Sequence, residues 1–82
     1  MSPGILQILK RDFKEDFIPA LENKIEELYS VNWNVGHEQL IRSLLCLVKG
    51  SPEKFFSFFP ISDPRDIVME VQMNQQDQKD YF

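Results

Sequence analysis

One histidine, His37, and one cysteine, Cys46, bound the chemistry open to this chain. A serine or thiol nucleophile needs a base within hydrogen-bond reach, and the nucleophiles nearest His37 in its own apolar-periodic stretch are Ser43 and Cys46. On a helix these lie about one and two-thirds turns and about two and a half turns further on, so both leave His37 on other faces. The spacing argues against a dyad from this stretch, and an enzyme would need a second residue brought to His37 from elsewhere. Structural zinc needs four nitrogen or sulfur ligands, which one Cys and one His cannot supply. The carboxylate pairs Asp12 with Asp16 and Glu22 with Glu26 have i, i+4 spacing, and they are predicted on solvated helix faces with no histidine-bearing helix to join. Gly4, Gly36 and Gly50 form no glycine-rich loop, and no Gly-Lys-Ser or Gly-Lys-Thr is present to cradle a phosphate. The reading is a non-enzymatic protein with no cofactor and no metal.

Charge narrows the partners. Nine Lys and Arg against thirteen Asp and Glu leave a net charge of −4 and a pI near 4.8, the wrong sign for following a phosphate backbone. The densest basic group, Lys10, Arg11 and Lys14, is interleaved with Asp12, Glu15 and Asp16 and reads as a solvated helix face. No direct nucleic-acid partner is expected. Cys46 cannot form an internal disulfide and lies in the apolar run Leu44 to Val48, where a thiol behaves as a small buried hydrophobe. That run is far shorter than the roughly 18 to 20 apolar residues that span a bilayer. The first residues lack the basic start and apolar length of a signal peptide, Ser2 stands where myristoylation needs glycine, and Asp80-Tyr81-Phe82 offers no cysteine for prenylation. A cytoplasmic protein without a membrane partner is expected.

The elements that must position any site follow from proline, caps and periodicity. Ser2 before Pro3 predicts a helix start, since proline at the first helical position loses a donor that has no partner there. Leu6, Leu9, Phe13 and Phe17 then form a stripe, predicting an amphipathic helix of about three and a half turns. Pro19 favours a break, with Asp16 as the cap of a second helix carrying Ile18, Leu21, Ile25 and Leu28 on one side, over a single long helix kinked near Asp16. Ser30 to Gly36 reads as a loop. From His37 to Lys49 a wide apolar arc of Leu40, Ile41, Leu44, Leu45, Leu47 and Val48 predicts the central helix, ended by Lys49 and Gly50. Ser51-Pro52-Glu53 opens a fourth helix, expected to run through Phe55, Phe56, Phe58 and Phe59 and to stop before Pro60. Asp63-Pro64-Arg65-Asp66 opens a fifth, with Ile67, Val68, Val71 and Met73 as its apolar face, a strand being the alternative that its β-branched residues leave open. Residues 74–79 are all polar. With 82 residues there is room for one domain. The predicted fold is all-α, a compact bundle of four to five short helices over residues 1–76, with 77–82 a polar, frayed tail. No motif identifies a family.

What remains for function is surface. Trp33 lies in a loop beside Val31 and Val35, where it either folds back to cap the core or offers a partner the large area that loop aromatics bury at low entropic cost. On a continuous helix Phe55, Phe58 and Phe59 share one face while Phe56 stands about 100° from Phe55, so either at least one ring faces solvent or a partner, or all are buried beneath the fifth helix. The first functional reading is an adaptor or regulatory interaction module that docks through Trp33, Phe55, Phe58 and Phe59 onto another protein or a second copy as a homodimer. The second is an acidic inhibitor or decoy that offers Glu15, Asp16, Glu22, Glu26 and Glu27 to a basic, nucleic-acid-binding partner.

Overall fold

The computed structural model describes residues 1–73 and 79–82. Three serine- or aspartate-proline pairs set three of its helix starts. Ser2 accepts from the Ile5 amide at 3.3 Å, Ser51 from the Lys54 amide at 3.2 Å, and Asp63 from the Arg65 amide at 3.0 Å. These bonds satisfy amides that have no partner inside the helix. They open α1 (Pro3–Asp12), α4 (Pro52–Ser57) and α5 (Pro64–Met73). Between them run a 3-10 turn (Glu15–Phe17), α2 (Ile18–Tyr29) and α3 (His37–Val48). Over the described residues the result is a small all-α bundle of five helices, with extents of 30 × 29 × 23 Å.

The central helix is α3. Leu40, Ile41, Ser43, Leu44, Leu45, Cys46 and Val48 are all buried on it, and α1, α2, α4 and α5 each pack against it. The chain leaves α3 through two left-handed residues, Lys49 (φ 47°) and Gly50 (φ 80°). Only Gly50 suits both demands there. Its φ is one that side chains avoid, and a Cβ on it would lie 2.8 Å from the Asp12 carbonyl oxygen. The end of α1 therefore rests directly on the end of α3.

Several expectations change. α1 ends at Asp12 rather than running on to Phe17, because Phe13 turns extended (φ −122°, ψ 150°) and buries its ring. The core line of α1 is Ile5, Ile8, Leu9 and then Phe13, whereas Leu6 is half-buried and Phe17 is exposed. Pro19 sits in the first turn of α2, where it costs no hydrogen bond, but α2 follows the 3-10 turn without a side-chain cap from Asp16. Asp12 and Asp16 thus share no helix face. In α5, Ile67, Val68 and Val71 are buried and Met73 is 81% exposed. Of the polar stretch expected to fray, residues 74–78 lie outside the described residues, and with them the end of the predicted domain at 76. Residues 79–82 fold back onto the bundle, and Tyr81 is 7% exposed, because α1 and α3 supply polar partners for it.

Candidate interaction surface

The loop after α2 is pinned by ring nitrogens. The last carbonyls of a helix lack partners within it, and Trp33 Nε1–H donates to the Leu28 carbonyl at 2.9 Å. His37 Nε2–H donates to the Val31 carbonyl at 2.7 Å, and Ser30 Oγ donates to the Glu27 carbonyl at 2.6 Å. This folds the Trp33 indole back as a half-buried wall and leaves Val31 exposed beside it.

The facing wall comes from the chain after α4. That helix ends at Ser57, and Phe59, preceding Pro60, is biased away from helical backbone. Phe58 still has helical backbone (φ −75°, ψ −14°) and the Phe59 amide donates to the Phe56 carbonyl at 3.2 Å, so Phe55 and Phe59 meet at the i, i+4 spacing of a helix. Phe59 packs on Phe55 with ring centroids 5.2 Å apart and, with Pro60 and Ile61, faces Leu28, Val31 and Trp33 across a surface groove of about 380 Å³. Lys24 and Glu27, paired at 3.2 Å, form its charged rim, and Lys24 Nζ lies 5.3 Å from the Phe59 ring centroid. Phe58 lines a separate, smaller depression on the other side of Pro60 and Ile61, with Ile67 and Glu70.

The structure thus brings Trp33 and Phe59 together, sets Phe58 next to them, and removes Phe55. Phe55 has no exposed area and stands at the centre of the core, edge-on to Phe56 at 5.3 Å. It packs under Phe59 from the core. The acidic residues do not form one face. Glu22 and Glu26 share a line of α2, Glu27 stands about 100° round from Glu26 and pairs with Lys24, and Glu26 lies 3.7 Å from the Met1 ammonium. Glu15 and Asp16 are exposed on the preceding 3-10 turn. His37 is stacked near Tyr29 at 5.4 Å and engaged with Val31, while Ser43 and Cys46 are buried in the core. Ser43 Oγ, 1% exposed, finds no hydrogen-bond partner among the described residues.

A second polar assembly has no local signal in the sequence beyond the i, i+4 pair Glu38 and Arg42. Arg11 forms a bidentate pair with Asp12 at 2.7 and 3.1 Å and donates its remaining nitrogen to the Asp80 carbonyl at 2.9 Å. Arg42 pairs with Glu38 at 3.1 Å and donates to the Tyr81 carbonyl at 2.8 Å. Tyr81 O–H donates to Asp12 at 2.9 Å, under the Arg11 guanidinium 4.9 Å from its ring centroid. Glu38 also accepts from Ser2 at 2.5 Å and from Tyr29 at 3.2 Å. Arg42 reaches across because Gly4 has no side chain; a Cβ there would collide with the guanidinium.

The electrostatics follow these contacts. The Arg11 hydrogen bond holds the Asp12 carboxyl below its usual range against the opposing effect of burial, with help from Tyr81, and Arg11 in turn is held up by Asp12. For Glu38, burial acts upward, yet the bonds from Ser2, Arg42 and Tyr29 together bring it below the usual range. Burial and then the bond to Asp12 push the Tyr81 hydroxyl up to about 12. Tyr29 is raised by burial and by the charge of Glu38.

Among the described residues no helix is long and apolar enough to cross a membrane. No protein-family model, no curated protein and no solved structure matches the chain.

Proposed function

We propose that the protein is a non-enzymatic interaction module that seats an apolar side chain of a partner protein in the groove between Trp33 and Phe59. The observation that carries this reading is the groove itself. Two aromatic walls and the aliphatic residues Leu28, Val31 and Ile61 leave a concave surface of about 380 Å³, near the lower end of the size range of ligand-binding clefts. Its rim holds one cation and one anion already paired, so the occupant is recognised by shape and apolar area rather than by net charge.

Shape also bears on self-association. A two-fold contact sets the same patch against itself, and a groove laid on its own copy stays unfilled. A projecting leucine or aromatic side chain from a different protein fills it. The acidic-decoy reading has less support, since two of its five carboxylates, Glu26 and Glu27, already face cations.

The test is a partner pull-down with wild type, Phe59→Ala and a Glu22→Gln/Glu26→Gln double variant, at low and high ionic strength. The expected partner binds wild type and the double variant at both, because apolar contacts escape salt screening, and is lost with Phe59→Ala. Binding that survives Phe59→Ala but fails in high salt or in the double variant would overturn the proposal in favour of the acidic surface.

A further inference from the structure

The chain from Phe58 to Ile61 divides two depressions. On one side lies the groove between Trp33 and Phe59, and on the other a hollow of about 200 Å³, with Pro60 and Ile61 as the wall common to both. The two differ in charge. The rim of the groove holds Lys24 and Glu27, already paired. The hollow has Phe58, Ile61 and Ile67 as its apolar lining and three carboxylates beside them, Asp63, Asp66 and Glu70, with no lysine or arginine in the set. The carboxylates share an edge for local reasons. Asp63 caps α5 by accepting from the Arg65 amide at 3.0 Å, Asp66 stands in the first turn, and Glu70 follows it at i+4, the spacing of helix neighbours. Like charges at that spacing repel slightly, and among the described residues no ion pair reaches any of the three. Arg65 lines a different depression, on the side of Val68 and Met69.

A side chain that fits an apolar hollow edged with carboxylates needs a long apolar stem and a cationic head. Lysine and arginine have that build, since their methylenes lie along apolar surface while the charge stays at the rim. Arginine suits this hollow better, because its planar head both forks onto carboxylates and stacks on an aromatic ring, here Phe58. The wall common to the two depressions keeps them close, so neighbouring positions of one partner segment can fill both. With the groove as the seat of the apolar anchor, a reading on which this one rests, we infer that the partner segment carries an arginine next to that anchor and seats it between Phe58 and the carboxylates at the start of α5. The three carboxylates are exposed, so the arginine adds selectivity and a modest gain rather than most of the affinity.

The probes are N-acetyl dipeptide amides in both orders, Phe-Arg and Arg-Phe, and their neutral counterparts with citrulline in place of arginine. Each is titrated into the isotope-labelled protein at low and high ionic strength. In wild type the better arginine dipeptide is expected to bind about fivefold tighter than its citrulline counterpart at low ionic strength, with saturable shifts at Phe58, Ile67 and Glu70 added to those at Trp33 and Phe59. High salt and the double variant Asp66→Asn/Glu70→Gln should each bring the two affinities together; Asp63 is left in place because it caps α5. Glu22→Gln/Glu26→Gln removes the same charge from α2 and should leave the advantage intact. Equal affinities in wild type for both orders, with Trp33 and Phe59 still shifting, would overturn this inference alone. So would an advantage that survives Asp66→Asn/Glu70→Gln or falls as far in Glu22→Gln/Glu26→Gln. No shift at Trp33 and Phe59 with any of the four dipeptides would overturn the groove reading, and the inference with it.

Discussion

Trp33 and Tyr81 each carry one polar atom on an aromatic ring, and each satisfies it with a bond of 2.9 Å, yet the two surfaces they build are opposites. The indole donates to a neutral carbonyl at the end of α2, which fixes the ring without closing the space in front of it. The phenol donates to a carboxylate already clamped by Arg11, and two arginines hold the adjoining backbone, so that ring is covered. An aromatic residue anchored at a helix end, with Phe59 and Ile61 set across open space from it, leaves an exposed apolar groove. The same chemistry anchored in an ionic assembly closes a surface with part of the chain itself.

The largest loss comes from removing the ring that supports Phe59 from the core. Phe55→Ala deletes a fully buried ring and is expected to cost about 3 to 5 kcal/mol, enough to unfold much of the protein, as urea denaturation followed by circular dichroism would show. Next comes the ionic side. Arg42→Gln is expected to cost about 1 to 2 kcal/mol in the same measurement, because partial exposure screens its pair with Glu38 and the bond to Tyr81 is the main loss. Gly4→Ala should lower stability in the same direction by displacing the same guanidinium. Neither should alter binding at the groove.

The ionic side also responds to pH, with a sign fixed by its shifts. Tyr81 titrates in the unfolded chain near pH 10 and in the fold near 12. Its contribution is complete below the lower value and is lost as pH rises from one to the other. Asp12 and Glu38 are shifted downward, so their contributions are present above the unfolded carboxyl range and disappear as pH falls through the folded values. Denaturation midpoints should therefore drop at both extremes. Tyr81→Phe should flatten much of the alkaline fall, and an unchanged alkaline fall would show that Tyr81 is not its source. Smallest in stability is the groove. Phe59→Ala is expected to cost less than about 2 kcal/mol, since the ring is only half-buried, while removing partner binding. A larger loss would make Phe59 a core residue and weaken the contrast between the two surfaces.

Much of the fold is readable along the chain because its signals are local. Ser2-Pro3, Ser51-Pro52 and Asp63-Pro64 mark helix starts through bonds to amides two or three residues on, and Gly50 marks a stop through its own φ. The end of α1 is not readable that way, since Phe13 leaves the helix for burial against distant residues. Half of the groove is legible: Trp33 in a turn-rich loop and Phe59 before a proline are both visible as candidates. Phe55 is indistinguishable from them in sequence, because which ring points inward depends on where α4 stops. The Tyr81 assembly joins residues 69 apart, and no periodicity or cap encodes such a contact. The polar composition around Tyr81 even points the other way.

Whether the groove receives an apolar side chain is read by titrating the isotope-labelled protein with N-acetyl-phenylalaninamide, followed by backbone and indole N–H resonances. Ligand efficiency suggests a Kd in the millimolar range, to an order of magnitude, for so small a probe. The expected result is a saturable shift of Leu28, Val31, Trp33, Phe59 and Ile61, with Tyr81 and Ile8 unmoved and the shifts abolished in Phe59→Ala. No saturation at Trp33, or identical shifts in the variant, would contradict a groove that receives an apolar side chain.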